Sequence, residues 1–202
     1  TLQSGIDLRM ALDEELPERA VVVGGGYIGL EAAEALVERG LETSLVEALD
    51  QPMSTLEAGM AALITTELSG AGVKVHLEEP VLAFERRGER VSAVVTTERT
   101  IETDLVVLGL GTAPNVELAR KAGLEIGESG AIFVDDRMST RSEGIWAAGD
   151  CAEQVHRVTG KPVNLHLGTI ANKMGRIAGI NIAGGRVSFR GCSEPRSPRC
   201  FR

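Results

Sequence analysis

The sequence predicts an α/β fold: a parallel sheet that carries an antiparallel β-meander, followed by an incomplete second α/β unit. Three observations lead there. The β-branched run Val21-Val22-Val23 enters a glycine-rich turn, Gly24-x-Gly26-x-x-Gly29, and then an amphipathic segment from Tyr27 to Arg39 closed by Gly40, which reads as strand, tight turn, helix and helix stop. Asp104 to Leu110, DLVVLGL, is an unbroken apolar run ended by Gly111, the pattern of a buried parallel strand. Aromatic residues make up only 3% of the chain and glycines number 24, so the cores are built from Val, Ile, Leu and Ala around many tight strand-helix turns.

The elements follow in order. Residues 1–19 form a lead-in segment with a helical pattern of Ile6, Leu8, Met10, Leu12 and Leu16, broken by Pro17. In the Tyr27 to Arg39 helix, Ile28, Ala32, Ala35 and Leu36 are expected on the buried face. A second strand, Thr43 to Val46, ends in Glu47. Ser54-x-x-Glu57 has the form of a capping box, opening a helix with Met60, Leu63, Ile64 and Leu68 on one face and Gly70 as its stop. Val73, Val75 and Leu77 then alternate with Lys74 and His76, which predicts a half-buried strand with His76 turned to solvent. Val81 to Glu85 and Val91 to Thr97, joined at Arg87-Gly88-Glu89, form the antiparallel excursion. With the apolar strand from Asp104 they complete a domain over 20–112.

A second composition begins at Pro114. Ala131 to Val134 and Ile145 to Ala148 read as short strands, the latter running into Gly149-Asp150; Lys161 to Asn164 reads as a loop. Thr169 to Gly179 is helical, with Ile170, Met174, Ile177 and Ala178 on one face. These pieces, 113–189, hold too little apolar surface for an independent core and look like the remainder of one. The tail, 190–202, has four arginines, two prolines and two of the three cysteines. Without periodicity it cannot offset its ordering entropy and is expected to be disordered.

The glycine turn carries the chemistry. Its first glycine allows a sharp turn, its second leaves room for a pyrophosphate against the backbone, and its third lets helix and strand approach. An anion then sits on unpaired N–H groups at the positive end of the helix dipole. Such turns also serve chain reversal alone, but Glu47 stands about 20 residues on, where these folds hydrogen-bond a ribose 2′-hydroxyl. A carboxylate there accepts from the hydroxyl and repels a 2′-phosphate, which favours NADH over NADPH.

The net charge of −8 argues against a nucleic-acid or anionic-membrane partner. No apolar run approaches the length of a bilayer span, and no signal segment opens the chain, so a cytoplasmic protein is expected. Cys151, Cys192 and Cys200 make neither a disulfide framework nor a CxxC pair, although Cys192 and Cys200 could bond.

Taken together, VVVGGGYIGLEAAEALVERG, VLGLGTAPN, GAIFVDDRMSTRSEGIWAAGDCAE and LGTIANKMGRIAGINIAGG, in this order and spacing, resemble the flavoprotein pyridine nucleotide-disulfide oxidoreductases. The resemblance is greatest to the branch of coenzyme A-disulfide reductases, NADH oxidases, NADH peroxidases and NADH-dependent persulfide reductases. It implies a Rossmann-like NAD(P)H-binding domain and the C-terminal portion of an FAD-binding domain, with NADH and FAD as cofactors. Gly24, Gly26, Tyr27, Ile28, Gly29 and Glu31 would line the nicotinamide nucleotide, with Glu47 on its adenosine ribose and Val81 and Gly111 close by. Gly149 and Asp150 would reach the ribityl-phosphate arm of FAD, and the backbone of Leu167, Gly168, Thr169, Ile170 and Ala171 would bring a helix N-terminus to the flavin pyrimidine ring. The resemblance makes Cys151 structural, and surface or loop roles suit His156 and His166 better than substrate contact.

In that family an upstream FAD segment carries the redox-active cysteine and a downstream domain forms a homodimer. Neither is found in this sequence, so three readings stand: an NADH-dependent flavoenzyme inactive as this chain alone, an isolated NADH-binding module, or one part of a split flavoenzyme. The tail departs from the family pattern GxxGTAxTKxF. One back-translation of residues 191–200, read from its third base, yields VLGTAVTKV, so the tail is expected to be a frameshifted start of the dimerisation domain. Reading the gene in all frames decides that point.

Overall fold

Val21, Val22 and Val23 lie in β1 (Arg19–Val23), the strand on which the rest of the first unit is assembled. The computed structural model describes residues 2–192, and these fall into two units that meet in sequence between Gly111 and Thr112. In the first, α1 (Leu2–Met10) passes through one π-helical turn, Ala11–Glu15, to β1. Then come α2 (Tyr27–Glu38), β2 (Glu42–Val46), α3 (Ala58–Gly70), β3 (Lys74–His76), β4 (Val81–Arg87), β5 (Arg90–Thr96), β6 (Thr100–Glu102) and β7 (Leu105–Leu108). The parallel sheet has the order β3-β2-β1-β7, with Val22 opposite Leu45 on one side and Val107 on the other. β4, β5 and β6 form a separate antiparallel sheet.

The expected α/β class is what the chain adopts, and β1 shows why its sequence reads as a run rather than an alternation. Ala20 and Val22 pack with Leu30, Ala33 and Leu36 of α2 and Leu68 of α3, while Val21 and Val23 face Val94 of β5. Both faces of the strand are covered from Ala20 to Val23, so those four positions are apolar, while Arg19 at the strand's start stays half-exposed. Each of the three valines contributes about 1.5–3 kcal/mol on burial.

Several local expectations are corrected by packing. In α2 the buried residues are Gly29, Leu30, Ala33 and Leu36; Ile28 is 45% exposed, and Ala35 also faces out. The close contact of Gly29 with the preceding turn rotates the helix away from the face that hydropathy alone selects. Ser54 does not cap α3. The N-cap is Glu57, because Met53 to Leu56 are drawn into a turn in which the Leu56 N–H donates to the Met53 carbonyl at 2.8 Å. The later start turns Ala61 and Leu68 inward and leaves Met60 and Leu63 at 50% and 60% exposure. β7 is parallel as expected but is an edge strand, so Leu105, Val106 and Val107 are only half-buried. α1 buries none of its residues, and of the lead-in pattern only Leu12 packs partly onto the core.

His76 is also not solvated. Only 17% of its side chain is exposed, and its Nδ1 lies 3.7 Å from a Glu79 carboxylate oxygen. Burial pushes its pKa below the ordinary histidine value of 6.5, with Glu79 opposing the shift. A base depressed in the folded state takes its proton more readily when unfolded, so stability falls as pH drops below about 6.5 and stops falling below the depressed value. Urea midpoints at pH 7.5 and 5.5 will show this loss, and His76→Gln will reduce it; an unchanged difference would remove His76 as its source.

The second unit holds α4 (Glu117–Lys121), the paired strands β8 (Gln154–Val155) and β9 (Pro162–Val163), and α5 (Gly168–Ile182). α5 buries Ile170, Met174 and Ala178 as its periodicity predicts, against Ile132, Met138, Ala147 and Ala152. The two short strands expected there reduce to single bridges, Ile132 with Ile126 and Ala152, and Ser139 with Trp146. Part of the expected loop from Lys161 is instead β9. Cys151 and Cys192 are free, and burial pushes the Cys192 thiol up, which suits a packing residue. Of the tail, Arg190 to Cys192 is described, with Cys192 buried and bridged to His156; the rest of the frameshift reading over 191–200, with Cys200, lies on residues 193–202, outside the described residues.

Candidate nucleotide-binding site

At the end of β1 the chain turns on Gly24, whose φ of +102° lies in the region that glycine alone enters easily. A Cβ there would stand 2.6 Å from the Gly109 carbonyl oxygen, and one on Gly29 would stand 1.8 Å from the Gly24 carbonyl oxygen. Gly109 meets the Gly29 backbone at 3.0 Å from its own ideal Cβ position. Three glycines therefore close the turn, the start of α2 and the end of β7 onto one another. Gly109 is not among the residues expected at the site, and its signal is the first glycine of the LGLG run, Leu108 to Gly111.

Gly26 differs. A Cβ on it would meet nothing within 4 Å, and its φ of −79° suits any residue. It is the N-cap of α2, and its carbonyl accepts the first helical bond from the Leu30 N–H at 2.9 Å. Being glycine, it offers no side-chain oxygen to the first-turn N–H groups, which leaves the helix N-terminus to an external anion. Protein packing does not require a glycine here.

The turn opens into a cleft of about 550 Å³ beyond the C-terminal ends of β1 and β2. Its wall includes Gly24, Gly26, Glu47, Val81 and Gly111, five residues expected at the site, together with Glu79, Pro80, Phe84, Gly109 and Leu110. Phe84 and Leu110 are 47% and 70% exposed, so the cleft keeps apolar surface facing outward, as ligand grooves do. Glu47 is fixed by two backbone donors: Gly25 N–H reaches Oε2 at 2.6 Å and Leu49 N–H reaches Oε1 at 2.9 Å. Each carboxylate oxygen keeps capacity for one more donor, such as a ribose hydroxyl. Tyr27 packs onto the helix-side core, Gly29 is buried under the turn, and Ile28 and Glu31 face outward, so none of these four residues forms the cleft wall.

The second unit brings Gly149 and Ala171 together, with 3.6 Å between an ideal Cβ on Gly149 and the Ala171 methyl. Packing tolerates a side chain there, and the φ of +83° is what selects glycine. Asp150 is exposed, and its carbonyl accepts from Asn164 Nδ2 at 3.0 Å. Leu167 is the N-cap of α5, and Gly168 and Thr169 form an exposed first turn without a side-chain cap. That turn offers backbone donors and a positive dipole end to an anionic ring edge. The ring of His166 is held between Thr112 and Asn164, and Nδ1 of His156 accepts from Thr159 N–H at 3.2 Å.

The sequence model for "Pyridine nucleotide-disulphide oxidoreductase" matches residues 4–175. The chain belongs to this family. Pyridine nucleotide-disulphide oxidoreductases use NAD(P)H and FAD, which fits a glycine cradle in one unit and a free helix N-terminus in the other. The chain is 40% identical over 186 residues to the CoA-dependent NAD(P)H sulfur oxidoreductase of Pyrococcus abyssi, covering 92% of this chain and 42% of that protein. It is 36% identical over 190 residues to an NADH oxidase of Methanocaldococcus jannaschii, covering 94% and 42%. The solved structure of an NAD-dependent persulfide reductase from A. fulgidus matches with a TM-score of 0.86 and 42% identity, over 92% of this chain and 35% of that one. This chain thus spans about two-fifths of the length of the curated relatives it matches. Among the described residues no helix is long and apolar enough to cross a membrane.

Proposed function

We propose that the first unit is an NADH-binding domain and the second the C-terminal portion of an FAD-binding domain, within an oxidoreductase that moves electrons from NADH through FAD to a disulfide, persulfide, peroxide or oxygen. The observation that carries the reading is the cleft itself, whose wall holds both Gly26, needed by no protein contact, and Glu47. The α2 N-terminus receives the pyrophosphate, and Glu47 accepts from the adenosine ribose. Val81 and Gly111 border the same nucleotide; Tyr27, Ile28 and Gly29 contribute backbone at the helix start, and Glu31 stands one turn in. In the second unit the α5 N-terminus and the Gly149-Asp150 turn hold the flavin. Bound FAD would supply the two-electron chemistry that joins nicotinamide to acceptor. On the same proposal the protein is cytoplasmic and its full-length relatives are homodimers.

Titration of the chain with NADH, followed by nicotinamide fluorescence, tests the reading. Saturable binding is expected, weakened roughly tenfold in Glu47→Ala by loss of a charge-assisted hydrogen bond. Wild-type protein that shows no saturation would overturn it.

A further inference from the structure

Glu79 lies in the segment between β3 and β4 and lines the same cleft as Glu47, yet its side chain is only 5% exposed. Its backbone N–H donates to the Glu47 carbonyl at 3.0 Å, so the two acidic residues are tied together. Its carboxylate takes Arg99 in a bidentate pair, Nε at 3.0 Å and Nη2 at 2.9 Å. Thr96 Oγ1 donates to it at 3.0 Å, and His76 stands on its other side at 3.7 Å. The cleft wall contains two carboxylates and neither lysine nor arginine. Arg99, half exposed, is the cation paired to that wall, and Glu79 occupies it.

From this arrangement, and resting on the nucleotide reading of the cleft, we infer that Glu79 is a second specificity-determining residue, which excludes NADPH by keeping Arg99 engaged. NADPH differs from NADH by a dianionic phosphate on the adenosine ribose, the group that Glu47 is placed to meet. With Glu79 in place, that phosphate encounters two carboxylates and no unpaired guanidinium. Burial leaves the Glu79 charge poorly screened, so a change in it is felt across the cleft. Neutralising Glu79 removes one repulsive charge and frees Arg99, whose planar fork suits a phosphate.

The test compares dissociation constants for NADH and NADPH, by fluorescence titration of the full chain, in wild type, Glu79→Gln, Arg99→Leu and the double variant. Glu79→Gln lowers the NADPH-to-NADH ratio roughly five- to tenfold, and the double variant loses most of that gain. Arg99→Leu alone raises the ratio, because the Glu79 charge is then uncompensated. A Glu79→Gln ratio within about twofold of wild type, with NADH binding still saturable, overturns the inference and leaves the NADH site standing. If circular dichroism shows that Glu79→Gln does not fold, Arg99→Leu decides alone, and a ratio that fails to rise overturns the inference. Absence of NADH saturation in the wild type is the distinct failure of the nucleotide reading.

Discussion

Replacing Gly29 with alanine will strongly destabilise the first unit. The added methyl carbon would be built 1.8 Å from the Gly24 carbonyl oxygen, inside any van der Waals contact, and 3.0 Å from its carbonyl carbon. The obstruction is backbone, so no rotamer change relieves it. Gly24 cannot retreat: its N–H is bonded to the Val46 carbonyl at 2.8 Å, and its far side rests on Gly109. Moving α2 outward instead would separate Leu30, Ala33 and Leu36 from Ala20, Val22 and Leu45, the contacts that hold helix to sheet. Overpacking a rigid core typically costs 1–3 kcal/mol, and a clash between backbones exceeds that range. A loss of about 4 kcal/mol or more is expected against a total domain stability of about 5–15 kcal/mol. Thermal unfolding and near-ultraviolet circular dichroism of Gly29→Ala measure it. A variant that melts within a few degrees of wild type would show that the turn and helix do not pack as described.

The contrast between Gly29 and its neighbours shows what the sequence makes legible. A positive φ or a backbone contact is a local covalent requirement, so the glycines of the turn can be read from spacing, and so can Glu47 at the end of a strand. The face that α2 buries cannot. Hydropathy nominates Ile28 and Ala35, but the Gly29 contact fixes the rotation of the helix and turns both outward. α3 fails in the same manner: Ser54 has the residue type and spacing of a cap, yet hydrogen bonds of Met53 to Gly25 and of Leu56 to Met53 take the chain into a turn first. Glu79 had no sequence signal, since its neighbours Thr96 and Arg99 come from the far end of the meander. The cleft floor is thus a tertiary product, whereas the turn that opens it is a local one.

Gly26→Ala should leave the fold intact and remove the nucleotide site. Its backbone, φ −79° and ψ −177°, suits alanine, and the new methyl group meets no protein atom within 4 Å. As an N-cap, alanine is somewhat poorer than glycine, a cost of about 0.5 kcal/mol, which the reduced freedom of the unfolded chain offsets in part. The melting temperature is therefore expected to stay within a few degrees of wild type. Binding is another matter, because the methyl group occupies the approach to the α2 N-terminus, where a pyrophosphate must come against the backbone. A phosphate displaced from those N–H groups loses charge-assisted bonds that no other part of the wall replaces, since that wall contains no lysine or arginine. The NADH dissociation constant should rise roughly a hundredfold, about 2.8 kcal/mol. Fluorescence titration beside a melting curve separates this outcome from the Gly29 result: one substitution lowers the stability of the unit, and the other removes only what the unit holds. Tight NADH binding by a well-folded Gly26→Ala would move the pyrophosphate away from the helix start, and the assignment of the cleft with it.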